Sequence, residues 1–316
     1  MSGHNLTRTD LAATPGRVIA AFLTLYLVWG STYLGIRIAV ETLPPFLLAG
    51  ARFMIAGAAI LAWAHHRGTP FPRGREWLGA AGVGLCLVTL SNALIVWVEQ
   101  RVPSGIVALF AAGSPLLIAL FTRQRTGVPL GLLRGAGLTL GTIGLLLLGS
   151  ETFAAVPDVG RMTMLAVAMI AWSIGATYGR DWPQTKNLLM ASGAQMFAGG
   201  CIAVVAGLLM GEGARLDLAA ASWQSIAAWS YLTVFGSMLA YTVFQWLMEH
   251  VDATAVSSYT YVNPIVALGL GAAFAGEHIT PRVILATLLL VPAVVMVVGK
   301  RRTASGEQRT ETPQEP

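Results

Sequence analysis

Charge is what this sequence has least of. Asp, Glu, Lys and Arg make up 11 % of its 316 residues while hydrophobic residues make up 55 %, and a soluble domain carries roughly 25 % charged side chains. A water-soluble fold of this length could not hide so much apolar surface. Cysteine is scarce too: Cys86 and Cys201 both fall inside apolar runs, where a small polarizable packing residue is a better reading than a disulfide or a metal ligand. None of the five histidines, His4, His65, His66, His250 and His278, lies within an apolar run. No two of them share a helix face with an intervening Glu, which excludes the pattern of an intramembrane zinc protease. Lysine is missing from mid-run positions, since Lys186 and Lys300 sit at run ends, so a buried Schiff base is excluded. Gly113-Ser114-Pro115 lacks the second glycine of a nucleophile elbow and has no His or Asp partner at comparable depth. There is no glycine loop ending in Lys and Ser or Thr, hence no support for ATP hydrolysis by this chain. No enzyme activity, cofactor or metal is expected. The basic residues are dispersed among loops and form no stripe interleaved with aromatics, which argues against a nucleic-acid partner.

What the chain has is long apolar runs. Each is near the ~20 residues that cross a bilayer as a helix, and they fall at about 18 to 36, 46 to 64, 77 to 98, 104 to 122, 131 to 149, 162 to 179, 188 to 210, 225 to 247, 254 to 275 and 283 to 299. The runs are continuous, without the polar alternation of barrel strands, and backbone in lipid must be satisfied internally. The predicted fold class is therefore an all-α membrane protein of ten transmembrane helices. The first run is too long, and too poorly followed by a small-residue cleavage site, to be a removed signal peptide, so it is expected to stay as a helix. Residues 1 to 16 and 303 to 316 are polar and read as flexible tails.

The chain also contains itself twice. Residues 17 to 149 laid on 160 to 299 pair Trp29 with Trp172, Arg37 with Arg180 and Gly50-Ala51 with Gly193-Ala194 at a constant shift of 143. After a six-residue insertion the shift is 149 and pairs Trp97 with Trp246, Val102 with Val251, Val107 with Val256 and Pro115 with Pro264. Each copy holds five spans. An odd number makes the second copy enter from the opposite side, so the halves are predicted to be inverted repeats related by a two-fold axis in the membrane plane. With the amino terminus inside, cytoplasmic segments hold 14 Lys and Arg against 5 outside, with Arg52 within a span. That bias puts both termini in the cytoplasm, although the loop of Glu249, His250 and Asp252 runs against it.

Trp29-Gly30-Ser31-Thr32-Tyr33, Gly50-Ala51-Arg52-Phe53, the turn Val102-Pro103-Ser104-Gly105 and Ser258-Tyr259-Thr260-Tyr261-Val262-Asn263-Pro264 resemble the EamA-type branch of the drug/metabolite transporter superfamily. The resemblance covers about residues 17 to 300 and is nearest to bacterial inner-membrane exporters. It implies a ten-helix inverted-repeat fold that exports small metabolites or drugs through a central cavity lined mainly by helices 1, 3, 4, 6, 8 and 9.

Polar and aromatic residues at mid-span are the cavity candidates, because a polar side chain turned to hydrocarbon is costly. The first helix offers Trp29, Ser31, Thr32 and Tyr33, and its repeat offers Trp172 and Tyr178. Ser91, Asn92 and Trp97 of the third helix are matched by Ala240, Tyr241 and Trp246 of the eighth. Trp29 and Trp172 could equally be packing residues or interfacial anchors. Ser114 and Asn263 precede the paired prolines Pro115 and Pro264, each of which removes a backbone donor near the middle of its helix. Tyr259 and Asn263 share a helix face. Gly137, Gly141 and Gly144 read as a close-packing stripe. Arg52 could snorkel, pair with Glu99 at the outer end of the third helix, or hold an anionic substrate group. Pairing is the default for an intramembrane charge, and Arg52, Glu99, Pro115 and Pro264 are the gating candidates.

The function read from these residues is secondary export of small organic metabolites, amino acids or amphipathic drug-like compounds, by alternating access. The alternative is a lipid or lipid-carrier flippase, with a membrane enzyme disfavoured by the missing catalytic sets. No Asp or Glu lies at mid-membrane, so Glu99 and Glu249 are the candidates for a coupling proton, and proton antiport and facilitated movement both stay open. Expected partners are the small-molecule substrate and membrane lipids, with the protein a monomer or weak homodimer in the bacterial inner membrane.

Overall fold

The computed structural model describes residues 14–102, 107, 111, 113–149, 158–274 and 281–298. Pro103, Ser104 and Gly105 of the resemblance and most of both tails lie outside the described residues. Within them the chain is helical, without strands. The principal helices are α1 (Pro15–Ala39), α2 (Pro45–His66), α3 (Arg75–Glu99), α4 (Ser114–Thr126), α5 (Leu132–Gly149), α6 (Val159–Tyr178), α7 (Leu188–Leu209), α8 (Trp223–His250), α9 (Tyr259–Phe274) and α10 (Pro281–Val298). Six of these, α1, α2, α3, α6, α7 and α8, are long and apolar enough to cross a membrane. The other four are shorter in their described extent.

Local chemistry sets the ends. α1, α2 and α4 carry proline in their first turn, where the missing N–H has no intrahelical partner in any case. Asp158, Asn187 and Ser222 accept from backbone N–H groups at the starts of α6, α7 and α8. α4 stops at Gly127, whose φ of 67° returns its N–H to the Arg123 carbonyl.

Packing follows the duplication. α1 lies against α8 and α9, and its counterpart α6 lies against α3 and α4; α3 meets α7 as α8 meets α2; α2 pairs with α7 and α5 with α10. Exchanging the first five helices for the last five maps this pattern onto itself. The α2–α7 crossing is built from glycine: a Cβ on Gly57 would lie 2.4 Å from the Phe197 nitrogen, and one on Gly200 2.5 Å from the Met54 nitrogen. Gly57 and Gly200 are themselves 143 residues apart, so one contact is made twice. The α5 glycines are close-packing positions as expected, with Gly137 and Gly144 against α10 and Gly141 under the Tyr261 ring.

Two features were not anticipated. α3 and α8 each contain a π-helical stretch, Leu85–Ala93 and Leu232–Leu239, and the 149-residue shift brings the two into overlap. Pro264 lies inside α9 as expected, but Pro115 stands in the first turn of α4, after a turn at Gly113. That position spares the proline any lost helical hydrogen bond.

Candidate functional site

At the junction of the two halves the helices leave a chamber of about 70 Å³. α1 contributes Trp29, Thr32, Tyr33 and Ile36, spaced i, i+3, i+4 and i+7 and so on one face. α2 contributes Arg52 and Phe53, α3 Ser91, Asn92 and Ile95, and α6 Met169 and Trp172. Gly236 and Tyr241 come from α8, Tyr259, Thr260 and Asn263 from α9, and Ala111 and Ser114 from the segment entering α4. The π-helical stretches act here. Asn92 Nδ2 donates to the Leu87 carbonyl five residues back at 2.8 Å, and Trp29 Nε1 donates to the Gly236 carbonyl at 3.1 Å. Both acceptors lie in a stretch whose widened turns disturb the usual bonding, a local distortion frequent at functional sites.

One side of the chamber is aromatic. The Trp29 and Trp172 rings, equivalent in the two repeats, meet edge to face at 5.6 Å, and Tyr259 lies 4.8 Å from Trp29. Phe244 packs against both tryptophans at 5.2 Å.

The other side is polar. Arg52, 2 % exposed, donates from Nη2 to Asn92 Oδ1 at 3.0 Å and stacks its guanidinium 4.6 Å from the Phe53 ring centre. Among the described residues, three buried groups on the chamber wall have no hydrogen-bond partner: Arg52 Nε, Ser91 Oγ and Asn263 Oδ1, while Trp172 Nε1 is directed at the Tyr259 hydroxyl. Buried polar atoms are ordinarily bonded, because an unmet donor or acceptor costs about 1–3 kcal/mol.

Arg52 and Glu99 are neighbouring charges that interact through space without a hydrogen bond between them. Arg52 bonds to Asn92, which lies two turns deeper along α3 and meets the guanidinium first, and neither carboxylate oxygen of the fully buried Glu99 has a hydrogen-bond partner among the described residues. The end of α3 is held through its backbone: Arg37 Nη1 donates to the Glu99 carbonyl at 3.2 Å and Arg161 Nη1 to the Trp97 carbonyl at 3.1 Å. In the second half Arg180 makes the corresponding bond to the Met248 carbonyl at 2.5 Å.

Of the residues singled out in the sequence, Trp29, Thr32, Tyr33, Arg52, Asn92, Ser114, Trp172, Tyr241, Tyr259 and Asn263 meet at this chamber. Others lie elsewhere. Ser31 bonds to Tyr231 and to the Val28 carbonyl. Trp97 lies under the Arg161 guanidinium at 4.4 Å, Trp246 stacks on His250 at 4.5 Å, and Tyr178 packs on Phe121. Glu99, Pro115 and Pro264 are not on the wall. The sequence reading named Ser91 beside Asn92 and missed Ile36, Phe53, Ile95, Ala111, Met169, Gly236 and Thr260. Thr260 carried a signal, being polar at mid-run beside named candidates; the apolar ones carried none.

A second cavity of about 460 Å³ opens beside the first, where Arg180, Gln184 and Thr185 follow α6 and Glu249 and His250 end α8. An amide cluster lines it. Gln195 accepts from Tyr241 at 2.9 Å and from Gln245 at 2.5 Å, and donates to Gln184 at 3.2 Å. Gln195 and Tyr241 stand at the repeat positions of Arg52 and Asn92. Among the described residues no group of three or more His, Cys, Asp or Glu is arranged to hold a metal ion.

The profile of the EamA-like transporter family matches residues 16–150 and again 161–299. An Escherichia coli K12 protein described as an uncharacterized inner membrane transporter, YedA, is 36 % identical over 285 residues, spanning 90 % of this chain and 91 % of its own. Protein PagO of Salmonella typhimurium is 26 % identical over 278 residues, 87 % of this chain and 89 % of its own. A WAT1-related chloroplastic protein of Arabidopsis thaliana is 26 % identical over 286 residues, 87 % of this chain and 66 % of its own. A solved crystal structure superposes with a TM-score of 0.72 at 20 % identity, over 90 % of this chain and 98 % of that one, a likeness of fold.

Proposed function

Because the chain belongs to the EamA-like transporter family of the drug/metabolite transporter superfamily and is a multi-pass membrane protein, we propose that it exports small organic metabolites, amino acids or amphipathic drug-like compounds, across the bacterial inner membrane. In this reading residues 17–149 and 160–299 are two inverted repeats of five spans each, both termini are cytoplasmic, and the repeats rock about the central chamber to give alternating access. The basic bias of 14 against 5 supports the orientation. The self-mapping helix contacts support the repeats.

One observation carries the site assignment. Buried polar groups without partners, Arg52 Nε, Ser91 Oγ and Asn263 Oδ1, converge on a space walled on its other side by aromatic rings. A solute with a polar end and an apolar body satisfies both walls at once. Arg52 and Asn92 receive the polar end, Asn263 and Tyr259 orient it, and Trp29 and Trp172 cover the body. At about 70 Å³ the chamber is far below the roughly 300–1,000 Å³ of a ligand pocket, so loading requires the repeats to move apart. Glu99 is the buried acid nearest this path and the candidate to carry a coupling proton.

The test is efflux from proteoliposomes loaded with amino acids or amphipathic amines. Efflux that needs the protein and falls at least about tenfold in Asn263→Ala, with stability retained, is the expected outcome. Protein-dependent efflux unchanged in that variant would move the site elsewhere.

A further inference from the structure

Phe244 stands between the two cavities, beside the Tyr241–Gln195 bond that links their walls. Phe244 is 1 % exposed, borders the 460 Å³ vestibule, and packs against Trp29, Trp172 and Tyr259 on the chamber side. Its helix is fixed one turn away by Tyr241, which lines the chamber and bonds to Gln195 of the vestibule. Position 95, which the 149-residue shift makes equivalent to 244, is Ile95, and it lies on the chamber wall.

We propose that Phe244 is the inner gate of the transport path, a ring that must swing out of the aromatic cluster before a solute held in the vestibule can enter the central chamber. The inference rests on the transport reading. It adds that the vestibule is a first station, where Gln184 and Gln195 offer amide groups to a solute's polar end, and that gate size is set by one side chain. The Phe244 ring meets Trp29 and Trp172 at 5.2 Å, tilted 42° and 41°, and the two tryptophans meet each other at 5.6 Å, so the three rings close the passage as one cluster. An aliphatic side chain cannot reproduce that seal, so shrinking residue 244 opens the chamber without any movement of the repeats. Interchanging the halves puts Ile95 in the gate position on the opposite side.

The experiment needs no transported solute. In a protein with Cys86 and Cys201 replaced by alanine, one cysteine is placed in the chamber as Ser91→Cys, or in the vestibule as Thr185→Cys. A small, charged, membrane-impermeant methanethiosulfonate is added to the face that bears Arg180. The vestibule cysteine reacts readily whatever stands at 244. The chamber cysteine is slow behind Phe244 and about tenfold faster with Phe244→Ala, since the open form of a closed gate is a population of roughly a tenth or less. Phe244→Leu, which keeps most of the volume and protects against the alanine variant failing to fold, gives an intermediate rate. Equal chamber rates for phenylalanine, leucine and alanine overturn the gate, and an unreactive vestibule cysteine overturns the path. Because labelling is read without solute, the gate can fail while efflux stands, and efflux can fail while the gate stands.

Discussion

Arg52 donates to Asn92 at 3.0 Å, and the residues that occupy the same two positions in the second repeat, Gln195 and Tyr241, are joined at 2.9 Å. One geometric link is thus made twice with different chemistry, a cation and an amide in one half, an amide and a phenol in the other. The link ties α2 to α3 and α7 to α8. In the first half it also places a positive charge on the chamber wall, which the second half does not.

Removing Asn92 leaves the buried Arg52 guanidinium without its hydrogen-bond acceptor, and removing Arg52 leaves Asn92 Oδ1 without its donor although Nδ2 keeps the Leu87 carbonyl. Arg52→Ala and Asn92→Ala should each lower unfolding stability in detergent by about 1.5–3 kcal/mol, the range for hydrogen bonds to charged groups. The double variant should lose less than the sum, with a coupling on the order of 1 kcal/mol. Arg52→Ala with Glu99→Ala should show weaker coupling, since the two side chains share no hydrogen bond. Additive losses for Arg52 and Asn92 would dissolve the link.

Arg37 and Arg180 hold the last carbonyls of α3 and α8, where unpaired backbone acceptors and the negative end of the helix dipole favour a cation. Arg37→Met and Arg180→Met should each cost up to about 2 kcal/mol and by similar amounts. Thermal unfolding of the two variants side by side measures this, and a large disparity would show that the repeats do not share the device.

Glycine at the α2–α7 crossing is needed for approach, whereas glycine on an open helix face is not. Gly57→Ala and Gly200→Ala must push apart backbones that a Cβ would meet at 2.4 and 2.5 Å, and both should express poorly or melt early. Gly135 faces open space, and a Cβ added there would meet nothing within 4 Å. It should tolerate alanine with a gain of up to about 1 kcal/mol from helix propensity.

Orientation is checked by reporters. Alkaline phosphatase, active only outside the cytoplasm, should be silent when fused after Gly299 and active when fused after Asp217, in the loop between α7 and α8. The reverse pattern would invert the reading of the basic residues.

The duplication was legible because a constant shift in sequence survives as a symmetric set of helix contacts, and Gly57 and Gly200 already mark the crossing. The chamber face of α1 was legible in part. Trp29, Thr32 and Tyr33 follow helical spacing, whereas Ser31 stands about 100° from Thr32 on the wheel and turns to Tyr231 instead. Trp97 was misplaced for the same reason: it is five residues past Asn92, roughly 140° around an α-helix, and so it faces Arg161. The π-helical stretches left no distinct mark in composition, since their mixture of Leu with Val, Thr and Ser recurs in the other spans and the bulge is a matter of backbone hydrogen bonding. Arg52 gives its hydrogen bond to Asn92 while Glu99 stays a neighbouring charge, because matched depth along a span says nothing about which acceptor an inclined side chain meets first.

The proposed solute site is the chamber between the repeats, and ligand-induced thermal stabilisation reads its occupancy. A screen of amino acids, amines and amphipathic drug-like compounds should yield a ligand that raises the melting temperature of the parent protein, with about 2.7 kcal/mol of stabilisation at one hundred times Kd. The same ligand should give little or no shift with Asn263→Ala and Arg52→Ala, and a full shift with Tyr178→Phe, which lies away from the chamber. A ligand that stabilises all four proteins equally would contradict the account.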